Sequence, residues 1–98
     1  MKSLIQEGEI MKKQDLELLV SANAIESVVI SREWLDGQAG EWEVYAYGTS
    51  PNLRGNVLET ARGERRGFKN LDTAFGFVVG CGYRGTVTVE DRFRPTNA

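Results

Sequence analysis

The chain has 98 residues, which is enough for a single domain with a modest hydrophobic core. Hydrophobic residues make up 41% of it and charged residues 27%, an ordinary globular composition that argues against a disordered chain or a membrane span. The net charge of −2 is unevenly divided, with nine acidic and four basic side chains in residues 1–48 against five and eight in residues 49–98, which excludes a uniformly basic surface but leaves room for a local basic patch.

The chain ends are predicted to lie outside the fold. We expect a flexible extension over residues 1–12, one domain over residues 13–91 and a tail over residues 92–98. Residues Glu7 to Glu9 can be encoded by a purine run of ribosome-binding type shortly before the Met11 codon, so translation is expected to start at Met11. The absence of a secretory signal pattern and the single cysteine, Cys81, together predict a cytoplasmic protein.

The first half of the domain reads as strands. Aliphatic and polar residues interleave over 15–20 and 25–34, and small polar residues join the two stretches, which predicts adjacent strands with a tight turn near Asn23. A turn at 35–40 then leads into residues 42–47, whose strict alternation is the clearest strand signal in the chain.

Aromatic residues surround that second turn. Trp34 and Trp42 flank it and are predicted to face each other across a hairpin as a packing pair, with a platform for partner binding as the alternative. The candidate partner-binding residues are Trp34, Trp42, Tyr45 and Tyr47.

The second half of the domain predicts a strand, a helix and a last strand. After a loop over 49–55, a strand is expected at 56–62 and a turn at 63–67. The i, i+3, i+4 spacing of apolar residues after Asn70, a capping residue, predicts a helix that stops at Gly80-Cys81-Gly82. Residues 86–90 alternate as a closing strand. The predicted fold is α+β: an antiparallel sheet of four to five strands with one helix packed on one face.

Several chemistries have no residues to support them. The chain has no histidine and only one cysteine, which removes the commonest general base and the commonest zinc ligands. The glycine-bearing stretches fit no phosphate-binding motif. Glu41 and Glu43 share one face of their strand, where a solvated surface is a simpler interpretation than an acid/base pair. We therefore predict a protein that is not an enzyme, with no cofactor, no metal site and no membrane association.

Basic residues concentrate in the stretch ARGERRGFKN, residues 61–70. If these side chains converge, they make a site for a few phosphates. The alternative is that one arginine pairs with Glu59, Glu64 or Asp72 to brace the turn while the others stay solvated. The candidate nucleic-acid or anion-binding residues are Arg54, Arg62, Arg65, Arg66, Lys69 and Arg84.

The order of these elements carries a family resemblance. Leu18 to Ile25 joins two predicted strands near an asparagine, a strand with tryptophan follows, and Leu58 to Ala74 contains an arginine, an aromatic residue and Leu-Asp opening a helix before the last strand at Val87 to Glu90. Over residues 15–90 this pattern resembles the small ParC-like, partition-associated proteins of plasmids and integrative elements, which are unrelated to the topoisomerase subunit of the same label.

The resemblance implies a role in maintaining a plasmid or integrative element, with no catalytic residues to carry over. On that basis we expect a non-enzymatic accessory protein that binds a protein partner, with a homodimer formed through a sheet edge or the aromatic hairpin as one form of binding. A small nucleic-acid-binding protein that uses residues 62–69 is one alternative. An antitoxin-like or phage-encoded inhibitor is another.

Overall fold

A computed structural model describes residues 10–92 as two α-helices and a six-stranded sheet. The elements in chain order are β1 (Ile10–Lys12), α1 (Lys13–Ser21), β2 (Ile25–Leu35), β3 (Gln38–Ala39), β4 (Glu43–Gly48), β5 (Arg54–Glu59), α2 (Leu71–Gly80) and β6 (Thr86–Arg92). The predicted α+β class is confirmed. Within this described part, neither helix has the length and apolar character needed to cross a bilayer.

The sheet is mixed rather than antiparallel, which corrects the prediction. Its strands follow the order β1–β5–β4–β2, and β3 and β6 also pair with β2. The pairs β1·β5 and β2·β6 are parallel, whereas β2·β4 and β4·β5 are antiparallel. The reason lies in the helices, because α2 returns the chain to the end of the sheet where β2 begins, so that β6 runs in the same direction as β2.

The segment predicted as a first strand, residues 15–20, is helix α1, so the fold has two helices instead of one. Leu16, Leu18 and Val20 alternate as in a strand, but the structure buries Leu16 and leaves Leu18 66% exposed. Leu19 and Val20 pack against the core instead, which is the i, i+3, i+4 spacing of a helix. The carboxylate of Asp15 accepts the backbone N–H of Lys12 at 3.0 Å and stabilises the helix start.

The predicted turns near Asn23 and at 35–40 are both present, and residues in each have positive φ. Asn23 lies in the short link between α1 and β2 with φ of 60°. Asp36 and Gly37 adopt φ of 54° and 78° in the tight turn between β2 and β3. After that turn the N–H of Gly40 donates to the carbonyl of Glu33 at 2.7 Å. The chain therefore continues from β3 into β4 along one side of β2.

The remaining predicted elements are present with shifted ends. β5 begins at Arg54 and ends at Glu59, because Thr60 turns the chain earlier than the sequence pattern suggested. The predicted helix is α2, and the side chain of Asn70 caps it by accepting the N–H of Thr73 at 2.9 Å. β6 extends two residues beyond the predicted strand, to Arg92.

The predicted chain ends lie mostly outside the described residues. The described part of the expected extension 1–12 is Ile10–Lys12, which forms β1 beside β5. The described part of the expected tail 92–98 is Arg92, the last residue of β6.

Both helices pack on the same face of the sheet, which we call the helix face. Alternation along the strands directs Val28, Ile30, Val44 and Leu58 toward this face, where all four are buried. Side chains of both helices join the same cluster, whose buried members are Met11, Leu16, Val28, Ile30, Trp42, Val44, Ala46, Leu58, Phe68, Ala74, Val78, Cys81 and Tyr83. The opposite face, which we call the open face, has no helix over it among residues 10–92.

Candidate functional site

The open face has two chemically different halves. Toward the starts of β2 and β6 it carries tyrosine, valine and hydroxyl side chains: Ser27, Val29, Tyr45, Tyr47, Val57, Thr86 and Thr88. Toward the ends of the same strands it carries mainly charged side chains: Glu33, Glu43, Glu59, Arg65, Glu90 and Arg92. The face therefore offers an aromatic and hydroxyl-rich area that adjoins a charged one.

The boundary between these halves is a hydrogen-bonded group of three side chains. The hydroxyl of Tyr45 donates to Oε1 of Glu43 at 2.9 Å. Nη1 of Arg65 donates to the same carboxylate oxygen at 3.2 Å and to the Tyr45 oxygen at 3.2 Å. Burial, and after it the hydrogen bond to Glu43, raises the pKa of Tyr45, which keeps the phenol protonated as a donor. Arg65 therefore ties the turn to β4 through Glu43, and not through Glu59, Glu64 or Asp72, the carboxylates that the sequence suggested.

Tyr47 is the exposed aromatic of the open face. It is 39% exposed, while Val57, on the neighbouring strand, is almost fully buried. The Tyr47 ring lies over Gly55, where a Cβ would come within 2.9 Å of the phenol oxygen. Gly55 also has φ of 96°, so both the close phenol ring and the backbone conformation favour glycine at this position. The absence of a side chain at residue 55 lets the Tyr47 ring approach the backbone there.

The two tryptophans belong to the helix face, apart from the two tyrosines. The strand register places Trp34 opposite Ala39 instead of Trp42, and Trp42 is only 5% exposed. The guanidinium of Arg32 lies 5.1 Å from the Trp34 ring centre and 4.4 Å from that of Trp42. The predicted pair therefore shares a cation between its rings, and Trp42 is a core residue.

A carboxylate completes this arginine–tryptophan group. Asp91 accepts two hydrogen bonds from Arg32, at 3.1 and 2.9 Å, and one from the indole N–H of Trp34 at 2.6 Å. The bonds from Arg32, and then that from Trp34, lower the pKa of Asp91. The group fastens the end of β6 to β2.

The basic stretch forms a closed turn after β5. The N–H of Thr60 donates to the carbonyl of Glu64 at 2.7 Å, and the Thr60 hydroxyl accepts N–H groups of Arg62 and Glu64. Gly63 takes φ of 87°, which allows this tight geometry. The turn is thus built by Thr60 and Gly63, and its cations project from a fixed backbone.

The adjacent arginines of this turn point to opposite sides. The backbone of Arg65 forms an isolated β-bridge with the backbone of Glu59, and its side chain reaches the open face. The guanidinium of Arg66 instead lies over the rings of Phe68 and Phe77, at 5.1 and 5.0 Å from their centres. Period-two backbone geometry requires this divergence. The two side chains therefore cannot serve one phosphate site together.

The other predicted cations are also dispersed. Arg54 begins β5 at the opposite end of the sheet from the turn. Arg84 donates to the carbonyls of Val79 and Tyr83, at 3.1 and 2.9 Å, and so stabilises the end of α2. Of the six candidates, Arg62, Arg66 and Lys69 remain near the turn without an ion pair to any of residues 10–92.

Two lysines that sequence reasoning missed lie beside this turn. Lys12 ends β1, and its Nζ donates to the carbonyl of Ala61 at 3.4 Å. Lys12, Lys13 and Arg66 line a cleft of about 440 Å³ that Glu17 and Glu59 also line. The signal that could have located them is the apolar pair before them, Ile10 and Met11, read as a short strand.

Reactive groups are scarce in the described part of the chain. Burial raises the pKa of Cys81, which lies in the core, so its thiol is a poor nucleophile. Residues 10–92 contain no group of three or more His, Cys, Asp or Glu side chains placed to hold a metal ion. The buried Oδ1 of Asn56 has no hydrogen-bond partner within the same range.

Comparison of the chain with protein-family models, with curated proteins and with solved structures gives no match. The functional argument therefore depends on the surface of this molecule.

Proposed function

We propose that this chain is a non-enzymatic accessory protein of a bacterial plasmid or integrative element, associated with partition or stability, that acts by binding a protein partner. The resemblance to ParC-like proteins supports the biological context. The observation that carries partner binding is the open face, where Tyr47 lies exposed beside buried Val57 while both helices cover the other side.

The composition of the open face suits a protein surface better than a small ligand. Tyrosine is enriched at protein interfaces because it buries a large apolar area while keeping a polar end. The charged half, with Glu33, Glu43 and Glu90 against Arg65 and Arg92, supplies the polar rim that fixes orientation. The partner surface that fits is apolar at its centre and charged on one side.

A capture experiment from the native host tests this proposal. We expect the immobilised wild-type chain to retain a defined partner, identified by mass spectrometry, and the Tyr47→Ser variant to lose it, because Tyr47 is the accessible aromatic of the face. Leu18→Ser is the matched control, since it makes a comparable change at an exposed position on the helix side. Equal retention by both variants, or no retention above bare resin, would contradict the proposal.

A second candidate function is nucleic-acid binding, favoured by the cluster of Lys12, Lys13 and Arg66 at one end of the fold, with Arg62 in the adjacent turn. Each phosphate contact would contribute about 0.9 to the slope of log affinity against log salt for duplex DNA. Glu17 and Glu59 line the same cleft and oppose an anion there. This balance makes protein binding the preferred function.

Titration of labelled duplex and single-stranded DNA separates the two functions. We expect no binding that falls steeply between low salt and about 0.2 M salt. If binding with such a slope occurs, Arg62→Ala should reduce the slope, whereas Arg54→Ala, at the other end of the sheet, should leave it unchanged. That pattern would establish the nucleic-acid function in place of the proposed one.

A further inference from the structure

Among residues 10–92, strand β6 forms one edge of the sheet. It pairs with β2 in a single unbroken register, from Ser27 opposite Thr86 to Glu33 opposite Arg92. No strand within residues 10–92 pairs with its other side. Native edge strands commonly carry proline, lysine or a bulge that blocks pairing with another chain, and residues 86–89 have none of these. Residues 86–89 of this edge are therefore open to pairing with another strand, whereas the charged residues 90–92 are not.

The backbone of β6 shows which residues would make that pairing. The carbonyl of Glu33 accepts the N–H of Gly40, so the odd-numbered residues of this part of β2 direct their backbone groups away from β6. The even-numbered Val28 and Ile30 direct theirs toward β6, where they align with Val87 and Val89. In a parallel pair, aligned residues direct their groups in the same sense, so those two valines direct N–H and C=O outward.

The side chains of β6 are complementary to a second copy of the same strand. In an antiparallel pair with a twofold axis at Thr88, Val87 lies opposite the partner's Val89, and Thr88 lies opposite the partner's Thr88. The outward backbone groups of the two valines then meet as hydrogen-bonded pairs. Valine pairs and threonine pairs both stabilise antiparallel strands. Val89, which is 47% exposed in one copy, gains an apolar neighbour.

The alternative axis, at Val89, is less favourable. It would place Val87 opposite the partner's Asp91, a carboxylate already held by Arg32 and Trp34. The axis at Thr88 keeps the pairing within residues 86–90 and leaves the arginine–tryptophan group outside it. Charge and side-chain chemistry therefore favour the axis at Thr88 over the axis at Val89.

We propose that two copies of this chain join through antiparallel β6 strands, about a twofold axis at Thr88, into one continuous sheet. The dimer does not depend on the proposed partner, because strand addition extends the sheet sideways and leaves the open face of each copy uncovered. Both copies would then present Tyr47 on one common surface.

Disulfide trapping tests the strand pairing and its register together. Thr88→Cys places two thiols directly opposite each other in a non-hydrogen-bonded pair, with Cα atoms about 4.5 Å apart, inside the range that a disulfide bridges. We expect mild oxidation to convert this variant into a covalent dimer on non-reducing gels. Glu90→Cys is the matched control on the same face of the same strand, because its two thiols would lie on residues roughly 13 Å apart and should stay reduced.

The mass of the chain in solution provides a second readout. Light scattering should give a concentration-dependent dimer for the wild type, and Val89→Lys should shift it to monomer with an unchanged circular dichroism spectrum. A monomer mass for the wild type at every concentration without trapping by Thr88→Cys would overturn the proposal. So would equal trapping by Thr88→Cys and Glu90→Cys, or a dimer that survives Val89→Lys.

Discussion

Leu58→Ala is expected to lower the free energy of unfolding by about 2–5 kcal/mol, a large part of the stability of a domain this size. Leu58 is fully buried on the helix face of β5, in the cluster that both helices share. Its truncation removes apolar contacts and leaves a cavity, because the flanking strands fix the backbone. Equilibrium denaturation in urea, followed by circular dichroism, measures the change.

Leu18→Ala is the matched control for that prediction. Leu18 lies on α1 with 66% of its surface exposed, so the same change should alter the free energy of unfolding by no more than about 0.5 kcal/mol. Similar losses of unfolding free energy at the two positions would mean that α1 packs on the core through the side that carries Leu18. Residues 15–20 would then belong to a different arrangement of the core.

This pair of leucines also shows why the sequence misled us at α1. Leu16, Leu18 and Val20 satisfy the period of a strand, while Leu16, Leu19 and Val20 satisfy that of a helix, and six residues cannot distinguish the two. The capping contact from Asp15 to Lys12 and the burial of Leu16 favour the helix. The longer alternation of β4 predicted a strand without that ambiguity, and the capped apolar spacing predicted helix α2 although Gly76 and the run 77–79 are less typical of a helix; both predictions are confirmed.

Strand direction could not be predicted from the sequence. Alternation of side chains is the same in parallel and antiparallel strands, so residues 86–90 indicated a strand but not its pairing. The parallel β2·β6 pair arises because α2 crosses the helix face between β5 and β6. The three residues of β1 were too short to show any period, although Met11 is buried in the core.

The candidate site was predicted in composition more than in geometry. Tyr45 and Tyr47 were chosen for their alternation, and they do share one face of β4. Trp34 and Trp42 were grouped with them by proximity in the sequence, but the structure places both tryptophans on the helix face. Trp42 lies three positions before Tyr45, on the other side of the extended chain, and Trp34 pairs with β3 instead of β4. For the cations, neighbouring positions in a turn left convergence open, and the extended backbone separated Arg65 from Arg66.

Gly48→Ala is expected to destabilise the fold by about 1–3 kcal/mol or more. A Cβ at residue 48 would collide with the carbonyl oxygen of Ala24 and come within 2.6 Å of Cδ1 of Leu53. That carbonyl accepts the N–H of Thr49 at 3.1 Å, and the N–H of Gly48 donates to Leu53 at 2.9 Å. The backbone must therefore shift where one hydrogen bond closes the loop between β4 and β5 and the other joins that loop to the start of β2. A lower midpoint of urea unfolding is the measured result.

Gly76→Ala makes the identical change where the structure leaves space. Gly76 lies inside α2, where apart from its chain neighbours and its own helix backbone no atom lies within 4 Å of a Cβ position, so alanine should raise the free energy of unfolding by about 1 kcal/mol through helix propensity. Opposite signs at the two glycines are expected, because one is required by a backbone contact and the other only weakens its helix. A neutral or stabilising Gly48→Ala would mean that the start of β2 does not approach the end of β4 as described, and the register of the central strand pair would be wrong.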